Sequence, residues 1–199
     1  MRRTTTLLIL ILTSLVAGVR IGTTAPPAKV AKTDEKSSWP NFRNGHQLRG
    51  VAGSALPETL ELIWSQPIPD GMVFTSAAAI LGGRVYASTL GGELQCLDLK
   101  SGKQLWKYLS APKPEPDTFI PGFPAAPTVS ADTVFVGDED GVFHAVDRKT
   151  GKRRWVFQTQ AEVNSSAVVI GDRVIFGSWD ANLYCLDTRT GKKPWRTRC

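Results

Sequence analysis

Asp98, Asp147 and Asp187 each stand four residues before a glycine and eight before a tryptophan, the most regular array of potentially reactive groups in the chain. A carboxylate can serve as a general base or a metal ligand, yet three at one repeating offset describe a structural unit written three times. The other candidates are sparse. His46 and His144 are the only histidines, and no pair has metal-ligand spacing. Cys96, Cys185 and Cys199 cannot all pair within one chain. Cys96 and Cys185 occupy equivalent positions of the first and third units, where Ala145 stands in the second, which reads as a small buried strand residue. Asp138-Glu139-Asp140 lacks the twelve-residue ligand spacing of a calcium loop and coincides with a turn signal. With no Gly-x-Ser-x-Gly, phosphate loop or Cys-x-x-Cys in the chain, no catalytic residue and no metal site is assigned.

The elements that must position these groups follow from the repeat itself. Cys96-Leu-Asp-Leu-Lys-Ser-Gly-Lys-Gln-Leu-Trp106 recurs as Ala145-Val-Asp-Arg-Lys-Thr-Gly-Lys-Arg-Arg-Trp155 and as Cys185-Leu-Asp-Thr-Arg-Thr-Gly-Lys-Lys-Pro-Trp195. The tryptophans are 49 and 40 residues apart, the length of one four-stranded β-propeller blade. Gly82-Gly83, Ala131-Asp132 and Gly171-Asp172 separate first strands (77–81, 127–130, 166–170) from β-branched and aromatic second strands. Gly91-Gly92, Asp140-Gly141 and Asp180-Ala181 then turn into an alternating third strand, with Asn182 expected in the left-handed position that Ala181 fills poorly. Within the motif, Asp98, Asp147 and Asp187 are expected to accept backbone N–H bonds across the turn, while Gly102, Gly151 and Gly191 supply positive φ. Trp106, Trp155 and Trp195 offer apolar faces to the gap between blades, Trp195 the more exposed, each with an N–H that needs an acceptor.

The Asp-x-x-(Thr/Ser)-Gly-x-x-x-Trp core resembles the tryptophan-docking motif of pyrroloquinoline-quinone-type propeller repeats, from about Leu60 to the C-terminus. Trp39-Pro-Asn-Phe-Arg-Asn-Gly is similar to a segment that precedes the first strand in exported members. The expected fold is therefore all-β: about three four-stranded antiparallel blades plus an orphan N-terminal strand at Leu60–Gln66, a partial ring. Because four to eight blades are usual, the sequence reads as the front of a longer propeller or a truncated product. Residues 26–199 alone are then expected to self-associate through open edges. The family includes the propeller subunit of the outer-membrane β-barrel assembly machine and the quinone-dependent dehydrogenases. For the latter the resemblance implies eight blades, an adjacent-cysteine disulfide, calcium and a catalytic Asp; the chain has no adjacent cysteines. The reading is thus an exported non-catalytic scaffold for cell-envelope proteins, without a cofactor. The alternative is a fragment of a pyrroloquinoline quinone (PQQ)-dependent dehydrogenase.

Bulk properties fit export. Met1-Arg-Arg followed by the apolar run 7–19 has the form of a signal segment, with small residues at 16–18 and 23–25 for cleavage. Residues 1–25 are taken as the signal peptide, 26–56 as linker and N-terminal extension, and 57–199 as propeller repeats. The destination is the periplasm or cell envelope, with membrane contact only through the signal segment if it stays uncleaved. Losing Arg2, Arg3 and Arg20 lowers the net charge from +6 to +3, which removes the case for a nucleic-acid partner. In an up-and-down blade the Thr-Gly turns collect on one side. That side carries Lys100, Lys103, Arg148, Lys149, Lys152, Arg153, Arg189, Lys192 and Lys193, a solvated rim or a surface for an anionic partner such as a lipid headgroup or acidic protein. The other side carries Asp138, Glu139, Asp140, Trp179, Asp180 and the Pro-rich connection 108–127 with Phe119 and Phe123, the candidate contact loops. Strand edges add a route to β-augmentation.

Overall fold

The computed structural model describes residues 38–44, 47, 49–53, 55, 58–68, 72–111 and 118–193, and the backbone of 195–198. The signal segment, His46, Pro112, Pro114, Pro116, the Trp195 side chain and Cys199 lie outside them. Among the described residues there is no helix. Twelve strands form three antiparallel sheets in simple meander order. The first holds β1 (Ala79–Leu81), β2 (Arg84–Ser88), β3 (Glu93–Asp98) and β4 (Gln104–Leu109). The second holds β5 (Thr128–Val129), β6 (Thr133–Gly137), β7 (Val142–Asp147) and β8 (Arg153–Gln158). The third holds β9 (Val168–Ile170), β10 (Arg173–Ser178), β11 (Asn182–Asp187) and β12 (Trp195–Arg198).

The middle sheet shows why the strands read as nearly continuous apolar runs. Along β7, Phe143 and Ala145 join the core shared with the third sheet, while Val146 joins the core shared with the first. A strand with a neighbour on both faces has no solvent side to mark with polar residues. The first interface packs Tyr86, Leu94, Cys96 and Trp106 against Val129, Val134, Val136 and Val146. The second packs Phe135, Phe143 and Ala145 against Val174, Phe176, Tyr184 and Leu186, with the Phe143 and Phe176 rings stacked at 3.8 Å.

In register, Tyr86, Cys96 and Trp106 lie side by side across one sheet, and Phe135, Ala145 and Trp155 across the next. The small middle residue leaves room for the indole, which tilts against the flanking ring at 5.9 Å (Tyr86) or 5.8 Å (Phe135). Cys96 and Cys185 are buried free thiols at this position, and burial pushes the Cys96 thiol up to about 11. The register also slips beside each of these tryptophans, between Cys96 and Leu97 and between Ala145 and Val146. In the second sheet this bulge re-aims Arg154, which bridges Asp147 and Asp132 at 2.7 Å each.

Two segments before β1 are tied in. Trp39 exchanges both backbone bonds with Ile80 at 2.7 Å, and the Pro40 carbonyl accepts from Val129 N–H, so one short stretch joins β1 to β5. Residues 61–68 are in no ladder with the described residues, and Leu60, Leu62 and Ile63 are exposed. The expectation for Asn182 is corrected: Ala181 itself takes the left-handed φ of 61°. Asn182 is needed as the first paired residue of β11, opposite Ser178, and Asp180 Oδ1 accepts its N–H at 3.0 Å, which sets the turn one residue earlier.

Candidate interaction surface

The repeated motif is a seat for the tryptophan of the preceding unit. Trp64, Trp106 and Trp155 donate Nε1–H to the carbonyls of Leu99 (2.9 Å), Arg148 (3.1 Å) and Thr188 (3.1 Å). Each indole lies over the glycine three residues further on: a Cβ on Gly102, Gly151 or Gly191 would come within 2.7–2.8 Å of the ring. Those glycines have φ of 67–72°, so close approach and backbone conformation both require glycine. Trp106 is 9% exposed and Trp155 half-buried.

The motif carboxylates are consumed by their own turns. Oδ1 of Asp98 accepts from Ser101 N–H and Oγ–H, Oδ1 of Asp147 from Thr150, and Oδ1 of Asp187 from Thr190, all at 2.8–2.9 Å. The hydroxyl and then the amide of that residue hold Asp98 and Asp187 below the ordinary carboxylate range. Arg154 and then Thr150 do the same to Asp147. These are acceptors held in place by the turn rather than groups aimed at a ligand.

On the opposite side the structure sorts the proposed contact residues. Asp138 is buried: Oδ1 accepts the Val142 amide at 2.7 Å and Oδ2 lies 2.9 Å from Nε2 of His144. His144, buried in turn, meets the Tyr108 hydroxyl through Nδ1 at 2.8 Å, so the three side chains link the first two blades. Phe123 is fully buried against His144, ring centroids 5.4 Å apart. Asp138 and Phe123 are therefore core residues with no face toward a partner. Glu139 is half-buried and accepts the Gly122 amide at 2.8 Å, which leaves exposed Asp140 to project from that turn. Phe119 is 64% and Trp179 73% exposed.

Asp180 stiffens the turn beneath Trp179. Partial burial pushes its carboxyl up, and bonds from Tyr184 Oη–H (2.6 Å), Gln160 N–H and Asn182 outweigh this, holding it at about 2. The Trp179 amide is anchored to Glu162 O at 2.9 Å. Sequence reading passed over Val73 and Phe74, 49% and 41% exposed, which reach this side through a bond from Leu90 N–H to Val73 O. Their only signal is the apolar run Met72-Val73-Phe74 outside any repeat.

The Thr-Gly side also differs in detail. Arg153 lies with Tyr108, Lys107 and Leu109 along a groove beside β4 and β8. Lys193, at the same place in the next repeat, sits over the Phe157 ring at 5.9 Å. Arg148 leans on Gly82. Arg153 and Lys193 are nonetheless exposed, as are Lys100, Lys103, Lys149, Lys152, Arg189 and Lys192.

Meander sheets whose tryptophans seat on the next sheet's Thr-Gly turn define a β-propeller built from PQQ-type repeats. The chain belongs to the family described as outer membrane protein assembly factor BamB, whose family model matches residues 50–199. Outer membrane protein assembly factor BamB of Vibrio cholerae is 26% identical over 161 residues, 61% of this chain and 41% of that protein. The quinohemoprotein alcohol dehydrogenase ADH-IIG of Pseudomonas putida is 27% identical over 118 residues, 56% of this chain and 16% of that protein. The solved structure of BamB from Moraxella catarrhalis matches with a TM-score of 0.54 at 25% identity, over 63% of this chain and 37% of that one. The chain thus spans under half the length of these relatives. Among the described residues no three His, Cys, Asp or Glu side chains converge as a metal site would require, and Cys96 and Cys185 are free thiols in different blades.

Proposed function

We propose that this chain is a non-catalytic propeller scaffold of the cell envelope that holds other proteins by the side of the molecule carrying Trp179. Large aromatic anchors on a rigid frame are the residues that dominate protein interfaces. Trp179 is such an anchor: it is 73% exposed on a turn fixed by Asp180 and by the bond to Glu162. Phe119, Val73 and Phe74 give the same side further apolar area. Kinship with outer membrane protein assembly factor BamB supports a role in envelope assembly, and export to the periplasm is the location that suits it.

A photo-crosslinking amino acid placed at Trp179 in cells is expected to give a discrete protein adduct that the same probe at Lys152 does not. No adduct from position 179, or the same adduct from both, overturns the reading. Similarity to a quinohemoprotein alcohol dehydrogenase favours a second reading, a propeller that carries PQQ. Absorbance titration with PQQ separates the two, and saturable binding would support the dehydrogenase.

A further inference from the structure

The described charges are segregated between the two sides of the blades. On the Thr-Gly side each blade presents two exposed cations at fixed offsets, Lys100 and Lys103, Lys149 and Lys152, Arg189 and Lys192. None of the six takes part in an ion pair among the described residues. The carboxylates near them offset only part of that charge, and none forms an ion pair with the six. Asp98, Asp147 and Asp187 are turned into their loops, Asp132 is engaged by Arg154, and Asp172 by Arg173. The opposite turns and connections carry Asp138, Glu139, Asp140, Glu162 and Asp180 and, among the described residues, no Lys or Arg.

We infer that the Thr-Gly side docks on an anionic lipid surface, with the acidic side and Trp179 directed away from it. The composition of the patch selects lipid over an acidic protein. Five of the six cations are lysines, which protein interfaces disfavour, and the aromatic anchors that such interfaces need lie on the other side. The pairs repeat from blade to blade on turns rather than lining a pocket. Such a layer of strongly hydrated point charges suits mobile headgroups, which can gather beneath each cation without matching its geometry. The reading places membrane contact on the folded blades in addition to the apolar N-terminal run.

The test uses the full chain and sedimentation with vesicles of phosphatidylcholine alone or with about one-third phosphatidylglycerol. Each cation near an anionic surface is worth roughly a fivefold change in partitioning. The triple variant Lys103→Gln, Lys152→Gln, Lys192→Gln is therefore expected to bind the anionic vesicles about a hundredfold more weakly than the parent. Both proteins keep the N-terminal segment, so its contribution cancels, and matching circular dichroism melts show that the variant is folded. Raising the salt from 0.05 to 0.5 M is expected to weaken parent binding by a similar factor. Equal binding to both vesicle types, no loss in the triple variant, or binding to soluble polyglutamate but not to vesicles overturns the inference. The last result would assign the surface to an acidic protein.

Discussion

Replacing Gly151 by alanine tests the seating of Trp106 directly. The new Cβ would lie 2.8 Å from Cδ2 and Cε3 of the indole. That ring cannot withdraw freely, because its Nε1–H is bonded to Arg148 O and it packs on Tyr86. The conformational cost of alanine at a φ of 72° is about 1–2 kcal/mol. Forced overlap in a packed site adds about 1–3 kcal/mol, so the expected destabilisation is about 2–5 kcal/mol. Gly171→Ala is the matched control: its φ is 58° and nothing lies within 4 Å of its added Cβ, which leaves only the conformational term. The entropy that alanine removes from the unfolded chain is common to both and cancels. Urea melts should place the Gly151→Ala midpoint below the control by on the order of 1 M, given slopes of about 1–3 kcal/mol per molar. Coincident midpoints would refute the claim that the glycine exists to receive the indole.

Three further outcomes are expected. Trp155→Ala should cost about 3–5 kcal/mol in urea melts, and exposed Lys152→Ala no more than about 0.5 kcal/mol, because only the first empties an interface. Tyr108→Phe should cost about 1–3 kcal/mol by leaving Nδ1 of buried His144 without its hydroxyl, whereas exposed Phe119→Leu should leave the same melt unchanged. The Asp180 carboxyl is held at about 2 in the folded chain against an ordinary 3.8, so its stabilisation is complete above pH 3.8 and lost as the pH falls toward 2. The stability gap between the parent and Asp180→Asn should therefore close across that window; a gap independent of pH would show that the ionised carboxylate is not the stabilising form.

The blade pattern was legible because its determinants are local. Asp98, Ser101 and Gly102 make their turn within five residues, and the same pattern at Asp147 and Asp187 confirms the period. What escaped depends on partners in another blade. Asp138 stands in an acidic run that reads as an exposed turn, yet it is buried by His144 and, through it, by Tyr108, 36 residues away from that histidine. Phe119 and Phe123 share a Pro-rich connection without periodicity, and only the folded neighbour distinguishes the exposed ring from the buried one. Arg153, read as part of the rim, is exposed there, and the groove it shares with Tyr108 of the preceding blade is a contact its own repeat does not announce. At Asn182 the side-chain preference for left-handed backbone lost to ladder register, which a single sequence does not display.

The seating of each indole on the following unit gives the fold a temporal direction. Trp64 precedes its glycine by 38 residues, Trp106 by 45 and Trp155 by 36. Each indole waits for 36 to 45 further residues to be delivered to the compartment where the chain folds before its seat exists. Within these repeats the newest blade therefore always shows one uncovered apolar face, and every earlier face is already closed. The surface at risk of aggregation stays that of a single blade as the array lengthens, so the load on a holding chaperone scales with the rate at which chain is delivered and not with the number of repeats.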